Sequence, residues 1–351
     1  MTNLSQFASI ILLALFTVSA ALGQQYQLRD LGVLPGDSYS QAFAINASGQ
    51  VVGESFDAQA TRIHGFLWSR LYHMQDLGEL PGGSPRVIAQ AINRSTQVVG
   101  QAVDPTGIGH AFLWSPSGGM QDLGKLRGFD SAYAFAINDS GQVVGYAYNH
   151  SVGGCPASAF LWTRSTGMRD LGHVPGSDCG MAAAINNSGQ VTGTDMVPGQ
   201  GDHAFLWTSS AGIQDLGVVF PGGITEAWAI NDSGEIAGIG VTRNSTCGNL
   251  FLWTSSAGWQ DLGTLSGGNC SGANGINSSG EVVGYSNDFA QVNRAVRWTQ
   301  ATGVQDLNSL LTKTGKAVIS TAWGINAAGQ IVGTKQLGQL FHAVLLTPVS
   351  N

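Results

Sequence analysis

The sequence is short of charge. Lys and Arg number 15 and Asp and Glu 22 in 351 residues, so charged side chains make up 11% of the chain, against about 25% in an ordinary soluble domain. The net charge of −7 is mild and spread along the chain. No basic stripe is present, which argues against nucleic acid as a partner. Long apolar runs are missing as well. Beyond residue 22 no segment is long enough to cross a membrane as a helix. There is no phosphate-binding loop, Ser-nucleophile elbow, HExxH helix or EF-hand loop. The acidic residues outside the repeated motif are scattered, and no pair stands at a spacing that asks for glycosidase chemistry. No catalytic residue, metal centre or cofactor is expected from these absences, and a binding role is favoured over an enzymatic one.

What is present points to strands. Gly occurs 50 times and apolar residues make up 43% of the chain. Many short apolar runs between Gly-rich turns indicate an all-β protein with a real core. Residues 8–22 are apolar, and small residues follow at Ala21 and Gly23. This pattern predicts a signal peptide over residues 1–23 and a mature domain over 24–351. No Cys lies near the cleavage point, so a lipid anchor is not expected. The protein is therefore expected to be secreted or periplasmic.

One motif of about 46 residues, a length in the range of propeller blades, recurs seven times. Asp-Leu-Gly begins at Asp30, Asp76, Asp122, Asp170, Asp215 and Asp261, with Asp-Leu-Asn at Asp306. An Ile-Asn pair follows each, ending at Asn46, Asn93, Asn138, Asn186, Asn231, Asn277 and Asn326. Next comes a Val/Ile-X-Gly element ending at Gly53, Gly100, Gly145, Gly193, Gly238, Gly284 and Gly333, and then a strand closing on Trp in six copies. Four short strands per period describe a propeller blade. The chain starts on a fourth-type strand and ends on a third-type strand. This predicts a seven-bladed β-propeller of four-stranded antiparallel blades, with the N-terminal strand completing the last blade. The small residues Ala42, Ala89, Ala134, Ala182, Ala227, Ala273 and Ala322 are expected at the crowded hub. Phe43, Phe135, Trp228 and Trp323 are expected to pack against neighbouring blades.

The strings His110-Ala111-Phe112-Leu113-Trp114 and His203-Ala204-Phe205-Leu206-Trp207, with Gln-Asp-Leu-Gly and Ala-Ile-Asn-X-Ser-Gly-Gln-Val-Val-Gly around them, resemble the HAF family of probable extracellular repeats. The resemblance covers nearly the whole mature chain. It implies export and repetition, and no defined reaction.

His64, His110, His203 and His342 open the third strand in four copies. Such histidines could form a metal or acid–base ring. The Asp that would hold them stands in all seven copies, so a structural role is expected. Cys155 and Cys179 in the third copy occupy the same two loops as Cys247 and Cys270 in the fifth, 24 and 23 residues apart. Of the three possible pairings, Cys155–Cys179 and Cys247–Cys270 repeat one geometry twice, and an exported chain meets oxidising conditions. Tyr39, Arg86, Asp130, Tyr133 and Glu226 break the repeat near the hub end of the loop face and are candidate ligand-binding residues. The expected function is a monomeric binding scaffold presenting variable loops to a protein or glycan. The alternative is an extracellular polysaccharide lyase or hydrolase.

Overall fold

A computed structural model describes residues 24–84, 86–150, 157–245, 247–313 and 318–349. The expected signal peptide and Cys155 lie outside the described residues. The chain is all-β, with a single 3-10 turn, Leu307–Leu310, and no α-helix among the described residues. Four-stranded antiparallel sheets repeat along the chain in a propeller-like arrangement. Copy five is typical: Ile224–Ile230, Ile236–Val241, Gly248–Thr254 and Gly258–Gly263 pair in sequence order. In the last sheet Tyr26–Gly32 lies antiparallel to Leu340–Pro348, with Leu28 opposite Leu346 and Asp30 opposite Val344. Ile331–Leu337 and Val318–Ile325 complete that sheet.

The core lies between sheets. One cluster joins Val52 and Leu67 of copy one to Val87, Ala89 and Phe112 of copy two. Another joins Val344, Leu346 and Tyr26 of the last sheet to Val283 and Ala295 of copy six. A third packs Val332, Ala343 and Leu345 of the last sheet against Ala42, Val51 and Phe66 of copy one. The Phe of the third strand is fully buried at Phe66, Phe112, Phe160 and Phe205, and truncation to Ala at any of them would cost about 3–5 kcal/mol.

The Ile-Asn strand departs from expectation in one respect. In every copy its register slips between the two small residues, as between Ala42 and Ala44 or Ala227 and Ala229. The extra residue is a bulge, which turns its side chain inward. Phe43, Phe135, Trp228 and Trp323 therefore line an axial cavity of about 280 Å³ with Gln90, Ala183 and Asn274. Between the first and last copies Phe43 and Trp323 also pack edge to face, with ring centroids at 5.9 Å. Ala42, Ala89, Ala134, Ala182, Ala227, Ala273 and Ala322 are buried among the inter-sheet clusters. The bulge also explains the glycine of Val-Val-Gly. A Cβ at Gly53 would stand 1.9 Å from the carbonyl oxygen of Gln41, and one at Gly100 would stand 1.8 Å from that of Ile88.

At the end of the same strand each Asn performs two tasks. Asn46 Oδ1 accepts from the backbone N–H groups of Ser48 and Gln50, both at 3.0 Å, closing the turn. Its Nδ2 donates to the Gln50 side chain at 2.8 Å and to the Asn93 carbonyl at 3.1 Å. Asn93 donates likewise to the carbonyl of Asn138, and the chain of bonds continues through Asn186, Asn231, Asn277 and Asn326. Asn326 then donates to the carbonyl of Asn46 at 3.0 Å. These amides are buried, so an unpaired partner would carry the full desolvation cost.

Candidate functional site

The repeated polar residues are scaffold. Each Asp of the Asp-Leu-Gly motif accepts the backbone N–H two residues on, as Asp215 does from Gly217 at 2.7 Å and Asp306 from Asn308 at 2.8 Å. The other face of the carboxylate holds a side chain from the third strand. This is an imidazole at His64, His110, His203 and His342, the amide of Asn249, or the guanidinium of Arg294 at 3.7 Å. A role repeated with substitutable partners is positional, and it forms no single reaction centre.

Copy three lacks that histidine, because Ser158 stands in its place. His173, from the loop after the fourth strand, approaches Ser158 instead: its Nε2 lies 3.2 Å from Ser158 Oγ. Its Nδ1 lies 3.6 Å from Asp195 Oδ1. The three residue types match a nucleophilic triad, but Ser158 is only 5% exposed, and a substrate could not reach its hydroxyl without the sheet opening. Asp195 is fully buried and accepts the backbone N–H of Val174. Ser55 and Ser286 do the same for Leu34 and Leu265 in their own sheets. The Asp195 carboxylate raises the pKa of His173 against an opposing desolvation effect. The constellation fastens the loop that follows the fourth strand to the sheet of the next copy.

The five residues expected to bind ligand divide between packing and the mouth of the axial cavity. Tyr39 stacks on Phe56 and Phe341, with ring centroids at 5.3 and 4.8 Å, and joins the first copy to the last. Asp130 accepts the backbone N–H of His150 at 2.8 Å and holds a loop of copy three. That bond lowers its pKa, against a smaller rise from burial. Tyr133 and Glu226 bond residues that line the axial cavity, and Arg86 is exposed at the start of its strand. Tyr133 donates its hydroxyl to Gln90 Oε1 at 3.0 Å and forms a three-ring cluster with Phe135 and Tyr146. Burial pushes its phenol well above the usual range, and the charge of Glu54 adds to the rise. Glu54 itself is pushed up to about 7 by burial, with the positive charge of Arg86 opposing.

Across the channel, Glu226 accepts from Trp228 Nε1 at 3.1 Å. It shares a cavity of about 330 Å³ with Tyr146, Met181, Thr194, Met196 and Asp202, edged by Cys179 and Gly180. Burial raises both carboxyls. The charge of Asp202 adds to the rise at Glu226, while His203 opposes the rise at Asp202. Titratable groups perturbed in this way inside a cavity are the usual mark of a functional site. Of the expected residues only Glu226 lines this cavity, and Tyr133 buttresses its Tyr146 wall. Asp202 and Glu54 were not foreseen, although each is an acid where the equivalent strands of other copies carry uncharged residues.

Near the cavity Cys247 and Cys270 form a disulfide with Cα atoms 5.1 Å apart, within ordinary bridge geometry. Cys179 is disulfide-bonded as well; Cys155, its expected partner, lies outside the described residues. No group of His, Cys, Asp and Glu suited to a metal ion is found among the described residues. No helix there is long and apolar enough to cross a membrane.

No family model matches the chain, and no curated protein matches it. Solved structures do. A prolyl endopeptidase matches with a TM-score of 0.59 at 11% identity, over 90% of this chain and 51% of its own. An acylaminoacyl peptidase of Pyrococcus horikoshii matches with a TM-score of 0.56 at 9% identity, over 92% and 54%. The extracellular domain of a protein described as a one component system from B. thetaiotaomicron gives 0.55 at 11%, over 93% and 40%. The chain spans about half the length of these structures or less. At such identities the likeness is one of fold, a propeller-type scaffold.

Proposed function

We propose that the chain is an exported, monomeric, seven-bladed β-propeller of the HAF type, closed by its N-terminal strand, which binds glycan at the mouth of its central channel. The antiparallel pairing of Tyr26–Gly32 with Leu340–Pro348 supports closure. So does the circuit of Asn side chains that returns from Asn326 to Asn46. A disulfide supports an oxidising location.

The observation that carries the binding role is convergence. The repeated residues bond one another, whereas Glu226, Asp202, Tyr146 and Met181 depart from the repeat and meet in one cavity. An aromatic wall with a few convergent polar groups is what a sugar ring needs: apolar contact for its C–H face, carboxylates for its hydroxyls. A cavity of about 330 Å³ suits one or two sugar residues. A glycan array probed with the mature chain tests the reading. Binding should appear, and Tyr146→Ala should abolish it without lowering the melting temperature by more than a few degrees. Binding that survives Tyr146→Ala and Glu226→Gln would move the site elsewhere.

A second reading has one observation in its favour. Burial raises the pKa of both Glu226 and Asp202, and a carboxyl shifted in that direction is the kind that serves as a general acid. The chain would then cleave the glycan. New reducing ends from a panel of polysaccharides, lost in Glu226→Gln, would favour that reading.

A further inference from the structure

Resting on the glycan reading above, we propose that the ligand of the Glu226 cavity carries a free ammonium group: an amino sugar not acetylated at nitrogen. Two carboxylates face this one cavity, and no Lys or Arg lines it. Glu226 receives a single hydrogen bond, from Trp228, and Asp202 accepts none from the described residues. Arg86 acts instead on Glu54. The contrast with the acids at the Asn end is direct, since Glu235 and Glu281 accept from Asn231 and Asn277.

An independent observation comes from the sheet that carries Asp202. Thr194 lines the same cavity, is 8% exposed, and its Oγ1 is buried without a hydrogen-bond partner. A buried hydroxyl left unpaired costs about 1–3 kcal/mol, so the lining is not satisfied by the protein's own groups. The cavity thus offers the two carboxylates of Glu226 and Asp202 to a group that has three N–H donors and one positive charge. A neutral sugar would leave the two carboxylates uncompensated, and an acidic sugar would be repelled. Tyr146, held by its stack on Tyr133 at 6.1 Å, and Met181 supply apolar surface for the ring.

The test is a calorimetric titration of the full mature chain with a glucosamine trimer and, separately, with its N-acetylated counterpart. The glucosamine trimer should bind at least about tenfold more tightly, a difference of about 1.4 kcal/mol. That ratio should fall to near one in Glu226→Gln and drop in Asp202→Asn, two nearly isosteric changes whose folding is checked by melting temperature. Equal or tighter binding of the acetylated trimer overturns the ammonium inference and leaves glycan binding intact. A ratio unchanged in both variants also overturns it. Binding of a Lys-rich peptide with no glycan bound on the array overturns both readings.

Discussion

The two ends of the axial channel are built on opposite terms. At the Asn end every copy contributes the same residue, and each side chain spends its donors and acceptors on its own turn and on the next copy. At the other end Glu54, Gln101, Tyr146, Thr194 and Tyr285 occupy equivalent second-strand places and vary from copy to copy. Saturated hydrogen bonding admits one residue type, because any change strands a buried partner. The end facing a cavity has no such repeated circuit, and its bonds differ from copy to copy, as at Gln101 and Tyr133, so its side chains are free to suit a ligand. The cost appears as perturbed acids, with Glu54 pushed up to about 7.

If the Asn end depends on the whole circuit, interrupting the circuit should do the most damage. Deleting residues 24–32 would expose the Leu340–Pro348 edge and remove Tyr26, which is fully buried. A loss of about 5 kcal/mol or more is expected, seen as a fall of roughly 10 °C or more in melting temperature. An unchanged melting curve would break the comparison at its base. Next comes a single Asn. Asn138→Ala leaves the N–H groups of Ser140 and Gln142 and the carbonyl of Asn186 without their partner. It should cost about 2–4 kcal/mol in chemical denaturation, whereas Asp202→Asn at the opposite end should cost less than about 1 kcal/mol.

The smallest effect sharpens the comparison through pH. Burial raises Glu54, so the folded chain keeps this proton up to about pH 7, while the unfolded chain releases it near 4.5. Its contribution to stability is intact below pH 4.5 and is lost as pH rises through 7. Glu54→Gln should therefore leave stability unchanged at pH 4 and raise it at pH 8, by at most about 3 kcal/mol. Denaturant titrations at the two pH values measure this directly. Equal effects at both would mean that the carboxyl is solvated.

Strand content, sheet order and the pairing of Tyr26–Gly32 with Leu340–Pro348 were legible because they follow from periodicity and phase, which seven copies repeat. The role of the Asp residues was legible for the same reason. The bulge was not. Phe43 and its equivalents read as strand positions with ordinary alternation, and the slip that turns them inward is a backbone event. Its trace in sequence was the glycine of Val-Val-Gly, fixed by a close carbonyl. Asp202 escaped notice because it precedes a consensus His and looks like part of the strand opening. Which departures from a repeat meet in space depends on neighbouring sheets, so Tyr39 and Asp130 could not be told apart from Glu226 by position in the motif.

Tyr26 lies opposite Pro348, and Val349 donates to the carbonyl of Gln25 at 2.9 Å. The first and last described strands therefore run side by side, and in the closed propeller proposed above the polypeptide would be a circle with a single cut. The cut could be moved. A short linker from residue 349 to residue 24, with new ends opened at the exposed Leu71–Tyr72 hairpin, would keep every sheet neighbour while giving copy one the strand that arrives from the far end of the chain. A cargo fused at either present end would leave from the outer edge of one sheet, away from the Glu226 cavity, so a tether to a surface could hold the molecule with its mouth free.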